Sequence, residues 1–222
     1  MALIKLIFYT ILFIFLNSCS LFDKENNEQS LIDLYLTFKE KPFKSFDRQE
    51  LNNIDYPLIE IRTNGVIKQN LMLQISLRNN IVNYTSGSGQ TLTMQGALVT
   101  KTNGFNTNLI SVKTSHKSPL IFLENIENWK NFDNRTYTFV TPGFTTENIK
   151  VDCLRKIGEK ELINIYQINY ELFKIEENCS NKKLQFKNIY WVQKNGFVRK
   201  SKQWVSKKDI FFDINILNPS IN

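Results

Sequence analysis

The sequence predicts a mainly β protein, an antiparallel, partly open β-barrel or folded-over sheet with one N-terminal amphipathic helix. Three observations lead there. After Tyr56, apolar residues recur at almost every second position, the pattern of half-buried antiparallel strands. The pairs Asn64-Gly65, Asn103-Gly104 and Asn195-Gly196 supply the positive φ that tight hairpins require, and Ser86-Gly87-Ser88-Gly89 marks a further, less specific turn. Alanine, the strongest helix former, occurs only at Ala2 and Ala97, against abundant Ile, Asn, Lys, Phe and Thr, so long helices have little support.

The first residues read as an address. Lys5 supplies a positive charge, and Leu6 to Leu16 (LIFYTILFIFL) follow as eleven uncharged residues before Asn17, Ser18 and Cys19. This is the layout of a signal peptide. A membrane-spanning helix needs about twenty apolar residues, roughly twice this run. Leu16-Asn17-Ser18-Cys19 resembles a bacterial lipobox, in which the Cys thiol takes a diacylglycerol and the new amino group is acylated, palmitate being a common chain. Several acyl chains, at about 0.8 kcal/mol per buried CH₂, make a stable anchor. By analogy with lipoprotein sorting, Ser20 after the Cys directs the chain to the outer membrane, its domain facing the periplasm. Residues 1–18 are thus expected as a lipoprotein signal peptide, residues 19–27 as lipidated Cys19 and tether, and residues 28–222 as a single β-barrel-like domain.

Within that domain, Leu31, Leu34, Tyr35 and Phe38 follow helical spacing, with Asn27 as a cap and Pro42 beyond the end. A sheet in need of cover makes core packing the expected use of this stripe, ahead of lying on a membrane. Strands follow. Leu71, Leu73, Ile75 and Leu77 alternate with Met72, Gln74 and Ser76, and Tyr166, Ile168, Tyr170 and Leu172 alternate with polar residues. The same alternation places Leu184 with Phe186, and Ile210 with Phe212, Ile214 and Ile216. About ten to twelve strands are expected by this reading, with no linker dividing them. Closure or folding-over is the usual way for so many strands to manage their edges.

Export also sorts the cysteines. With Cys19 lipidated, Cys153 and Cys179 form an even pair in an oxidising compartment, where a disulfide is expected. Cys153 shares its face with Ile149 and Val151, which points the sulfur inward. The bridge would pin the strand over residues 148–156 to the segment entering the strand at Lys183. A redox role would call for C-x-x-C spacing, which the pair lacks.

Composition narrows the chemistry. The chain of 222 residues carries a net charge of +7, is 42% hydrophobic, and has a single His. One His cannot supply a two-His zinc site or a facial triad, and a Ser-His-Asp or Cys-His hydrolase would depend on His116. That residue sits between Ser115 and Lys117 in a polar stretch and reads as surface. No metal, cofactor or catalytic residue is expected. The glycines at 87 and 89 join strand to strand, not strand to helix, so they do not form a phosphate cradle. A glycosidase needs two carboxylates at a defined separation. Glu124 with Glu127, Glu176 with Glu177, and Asp209 with Asp213 are equal candidates, each read as solvated charge. Near the C-terminus, Tyr190, Trp191, Arg199, Lys200, Lys202 and Trp204 interleave aromatic and basic residues. Such a set either packs a sheet or stacks on sugar rings and pairs with acidic groups of a glycan. Export argues against nucleic acid.

Two blocks carry a resemblance to a known family. Residues 83–109 (NYTSGSGQTLTMQGALVTKTNGFNTNL) hold Leu92-Thr93-Met94, Gly96, Val99 to Thr102, Gly104-Phe105 and Leu109; residues 186–204 hold Phe186, Asn188, Tyr190-Trp191, Ser201 and Gln203-Trp204. With the lipobox, these resemble the outer-membrane lipoproteins called YjbF or GfcB, linked to group 4 capsule and exopolysaccharide operons. The resemblance implies a mostly β, barrel-like domain and a role in polysaccharide export or assembly, and it transfers no catalytic residues. The expected function is that of a lipid-anchored, non-enzymatic lipoprotein supporting capsule or exopolysaccharide assembly and secretion, through contacts with export-machinery proteins or an anionic glycan. The alternative is a carrier or chaperone of lipid or another apolar ligand in an open barrel. Candidate contact residues are Tyr190, Trp191, Arg199, Gln203 and Trp204.

Overall fold

A computed structural model describes residues 48–64, 66–105, 107, 109–114, 118, 120 and 125–218. The signal peptide, Cys19, the helix expected within 28–42, and His116 lie outside the described residues. A short helix, α1 (Arg48–Asn52), leads into twelve strands: β1 (Leu58–Thr63), β2 (Val66–Arg78), β3 (Ile81–Ser86), β4 (Thr91–Gln95), β5 (Leu98–Asn103), β6 (Leu109–Thr114), β7 (Phe132–Val140), β8 (Thr146–Ile165), β9 (Ile168–Ser180), β10 (Gln185–Val192), β11 (Val198–Ser206) and β12 (Ile210–Asn218). They form one sheet in the order β5-β4-β3-β2-β1-β12-β11-β10-β9-β8-β7-β6, and every ladder between these strands is antiparallel. Apart from β5 and β6, each strand pairs with its neighbour in sequence, and β1 also pairs with β12. The result is a nearly closed, barrel-like sheet whose two edges, β5 and β6, are consecutive in the chain.

Turn chemistry explains the meander. Asn64 begins the turn between β1 and β2 and is tied to the β11–β12 turn, its Nδ2 donating to the Asp209 carbonyl at 2.8 Å. Gly89 and Gly196, at φ 78° and 88°, serve the β3–β4 and β10–β11 turns read from sequence. Two tight turns lack glycine: Asn79-Asn80 (φ 52° and 61°) and Tyr166-Gln167 (φ 47° and 67°). Asn tolerates this region, whereas Tyr and Gln adopt it at a cost that the surrounding ladder must offset.

Alternation also holds, with one correction. In β7 every second residue from Asp133 to Phe139 is buried. In β2 the expected face of Leu71, Leu73, Ile75 and Leu77 does not hold: a register shift between Gln74 and Ser76 breaks the alternation, Met72 joins the core, and Ile75 and Leu77 are exposed. A bulge of this kind cannot be seen in a repeating pattern of apolar residues. The core itself is aromatic. Phe186 stacks on Trp204 with ring centroids 4.3 Å apart, and Tyr137 and Phe139 meet Trp204 edge-on at 5.1 and 5.6 Å. Edge-to-face and stacked contacts of this sort add about 1 kcal/mol each to the area they bury.

One hairpin leaves the cylinder. Strand β7 stops pairing with β8 at Phe132–Leu154, while β8 and β9 run on together to Ile165–Ile168. Between Ile157 and Lys160 the register shifts, and a Cβ at Gly158 would stand 3.0 Å from the Lys174 carbonyl oxygen, so glycine is required there. Beyond the bulge the hairpin crosses the outer faces of β10 to β1. Glu161 accepts a hydrogen bond from Trp191 Nε1 at 2.9 Å, Arg199 lies over the Tyr170 ring, and Tyr166 Oη donates to Glu60 on β1 at 3.2 Å. This cover reaches Glu60, which is fully buried, while Ile59 and Ile61 on either side of it belong to the core.

Cys153 and Cys179 form a disulfide, and they face each other in the β8–β9 ladder. The bridge therefore links adjacent strands at their register position rather than reaching the segment before Lys183. With a sequence separation of 26, a chain-entropy argument gives about 3 kcal/mol of stabilisation. Urea denaturation of the Cys153→Ala/Cys179→Ala protein is expected to show a loss of that order with an unchanged fold; a stability equal to the oxidised chain would contradict it.

Candidate functional site

Strands β7 to β10 bring four charges together inside the sheet. Asp133 and Arg135 occupy buried positions of β7, Arg155 of β8 and Glu177 of β9, none more than 5% exposed. The ladders align them, because Arg155 faces Glu177 and Glu177 faces Asn188 on β10. Arg135 grips Glu177 with two nitrogens, at 2.8 and 2.6 Å. Arg155 donates to Glu177 at 2.7 Å and to Asp133 at 2.8 Å, and Arg135 Nε reaches Asp133 at 3.2 Å. Asn188 Nδ2 and Tyr190 Oη complete the shell of Glu177 at 3.0 and 3.3 Å. The Arg155 guanidinium also caps the Lys130 carbonyl at 3.0 Å.

Two arginines and two carboxylates cancel, which is what permits such burial. Burial alone would push the Glu177 carboxyl up; Arg135 and Arg155 outweigh it and hold the group below its ordinary value. Burial raises the Tyr190 phenol well above 10, and that of Tyr137 rises from the same cause, so both remain neutral. The two carboxylates converge, but the guanidinium groups fill the space between them. This is a structural knot: Glu177 is saturated, and Asp133, bonded to both arginines through Oδ2, is buried.

Sequence reasoning missed this cluster and read Glu177 as solvated; the structure corrects that to a fully buried residue. The available signal was parity, since Asp133, Arg135, Tyr137 and Phe139 share one face of a strand, as do Glu177 and Cys179. Glu176, on the opposite face, pairs with Lys187 at 3.1 Å, and Glu127 with Lys194 at 3.4 Å.

The five candidate contact residues divide. Tyr190, Gln203 and Trp204 are buried, at 2% exposure or less. Trp204 is the hub of the aromatic core, and its backbone N–H is taken by Asn188 Oδ1 at 2.8 Å. Gln203 spans the interior: its Nε2 donates to the Ala97 carbonyl at 2.8 Å and to Ser201 Oγ at 2.9 Å, while its Oε1 accepts from Val99 N at 3.0 Å. The two sequence blocks that carried the resemblance are thus joined through one side-chain amide. Trp191 and Arg199 remain half-buried on the outer face. There the Trp191 ring is covered by Lys200 and the Arg199 guanidinium lies over both Tyr170 and Phe197. Among the described residues the aromatic core and the knot occupy inward positions of β7 to β11.

Replacing Glu177 by Gln is expected to cost about 3–5 kcal/mol, since it leaves two buried guanidinium groups underneutralised. Because the folded pKa of Glu177 is depressed, its contribution is full above the ordinary 4.5 and is lost as pH falls through the lowered value. Acid titration of stability should therefore be flatter in the variant. Gln203→Ala should lose about 1–3 kcal/mol by uncapping Ala97 and Val99, measured by thermal or urea melting.

A search of curated proteins gives no match. Among solved structures, the crystal structure of the hypothetical lipoprotein YmcC from Escherichia coli (K12) is similar with a TM-score of 0.66 at 20% identity, covering 78% of this chain and 89% of that one. At that identity the likeness concerns the fold. Residues 32–217 match the family described as group 4 capsule polysaccharide lipoprotein gfcB, YjbF, a span that holds the knot, the disulfide and both joined blocks. The chain belongs to the YjbF/GfcB family of capsule polysaccharide lipoproteins.

Proposed function

We propose that this protein is a non-enzymatic lipoprotein, anchored through Cys19 in the outer membrane with its domain in the periplasm. There it supports assembly or secretion of a capsular or extracellular polysaccharide by contacting the glycan or the export machinery. The family match over residues 32–217 is the observation that carries this reading. Two others support it. The buried acids are committed to arginines, an arrangement suited to rigidity rather than proton transfer. Among the described residues no helix is long and apolar enough to cross a membrane, so attachment through a lipid on Cys19 fits the chain.

Deleting the chromosomal copy should reduce polysaccharide at the cell surface. The wild-type chain should restore it, and a Cys19→Ala chain, exported but unlipidated, should not. Surface polysaccharide unchanged by the deletion would overturn the proposal.

A further inference from the structure

A cleft of about 480 Å³ lies over the outer face of β6 to β9, and Arg135, whose guanidinium is buried in the knot, contributes to its lining. Its floor follows from register. Lys113 of β6 faces Thr136 of β7, and Thr136 faces Lys150 of β8, so two lysines flank one hydroxyl on a single rung. The neighbouring rung holds Asn134 opposite Asp152, and Asp152 opposite Ser180. All six of these residues line the cleft.

Charge is distributed unevenly over those rungs. Both lysines are exposed, and among the described residues neither forms an ion pair, whereas Lys160, Lys174, Lys187, Lys194 and Lys207 each have a carboxylate partner. The one acid in the cleft, Asp152, accepts a hydrogen bond from Asn134 Nδ2. Asn181 at the rim holds the Lys150 carbonyl at 2.8 Å, which fixes the backbone under that lysine. Two unpaired ammonium groups with hydroxyls and amides between them recognise an acid group carried on a hydroxylated scaffold. None of the exposed large apolar side chains lines the cleft, and Val151 is the one apolar residue in its lining.

We infer that the β6–β9 cleft binds a short segment of an acidic polysaccharide, a sugar carboxylate lying between Lys113 and Lys150 and ring hydroxyls meeting Thr136, Asn134 and Ser180. This rests on the proposed function and gives it a ligand class and a place. A phospholipid headgroup offers similar charge, but the polar lining favours the glycan.

The test uses the full lipidated chain in neutral detergent, with trigalacturonate as the acidic probe and its methyl ester as the uncharged match. Calorimetry should show binding of trigalacturonate that weakens as salt rises, is at least tenfold weaker for the ester, and falls at least tenfold in Lys113→Ala/Lys150→Ala. Lys183→Ala, outside the cleft lining, should bind like wild type. Absence of binding, equal affinity for the ester, or an unchanged double variant would overturn the inference, as would double-variant-sensitive binding to phosphatidylglycerol vesicles without binding to trigalacturonate. Thermal melting of the double variant should match wild type, since both side chains are exposed. Failure here is separable from failure of the functional proposal. A deletion strain restored to full surface polysaccharide by the double variant overturns the cleft alone, whereas a deletion without effect on polysaccharide overturns the functional reading even if trigalacturonate binds.

Discussion

Burial of Glu177 between Arg135 and Arg155 is the constraint around which this domain is arranged. A carboxylate with no exposed surface is tolerable only if its oxygens are saturated, and here five donors from three strands do so. That requirement fixes β7, β8, β9 and β10 in one register, because a slip of one residue would turn every charge outward. The disulfide lies on the same face, two residues from Glu177, and the aromatic core begins at Tyr137, two residues from Arg135. Replacing all four charges by apolar residues could well preserve stability, since buried pairs return little net energy. What the charges supply is discrimination between registers that an all-apolar barrel would allow more freely.

Family membership acquires a physical meaning from the same interior. Of the side chains that made the second block recognisable, Trp191 is half-buried on the outer face and the others are buried: Asn188 holds Trp204, Phe186 stacks on it, Gln203 bonds Ser201 and crosses to β5, and Tyr190 bonds Glu177. They specify how the sheet curls. Gln203 is instructive: from β11 it reaches the backbone around the β4–β5 turn and so draws an edge of the sheet against its middle. A signature made of such residues identifies a fold, and ligand chemistry has to be sought on other surfaces.

Much of the architecture was legible before coordinates. Period-two alternation and the turns at Asn64 and Asn195-Gly196 marked the meander, and the even cysteine pair marked the bridge, whereas Asn103-Gly104 makes no hairpin because β5 and β6 are the unpaired edges. Three features were hidden, each for a physical reason. The β2 bulge reverses a face without altering the repeat. Tyr166-Gln167 makes a tight turn with residues that do not announce one, so β8 and β9 could not be recognised as a long strap. Buried charge was read as solvated because exposure is the rule for Asp, Glu and Arg, and only the parity of Asp133, Arg135 and Glu177 marked them otherwise. The cleft lysines are undistinguished in sequence, lying 37 positions apart by number and meeting only through Thr136.

The closure of β1 against β12 bears on how the chain reaches its folded state. Ten of the twelve strands can zip onto the strand made just before them, β1 and β6 being the two that start a run. The ladder from Leu58–Asn218 to Thr63–Phe212 instead joins the two ends of the described domain, and it cannot form until β12 is present. A chain threaded through a membrane from its N-terminus would emerge with β1 first and β12 last. Its hairpins would gather while the sheet stayed open, and the final strand would act as the bolt. Until then β1 and the newest strand present unpaired edges in addition to β5 and β6, the stage at which such a chain is most exposed to aggregation and to capture by chaperones.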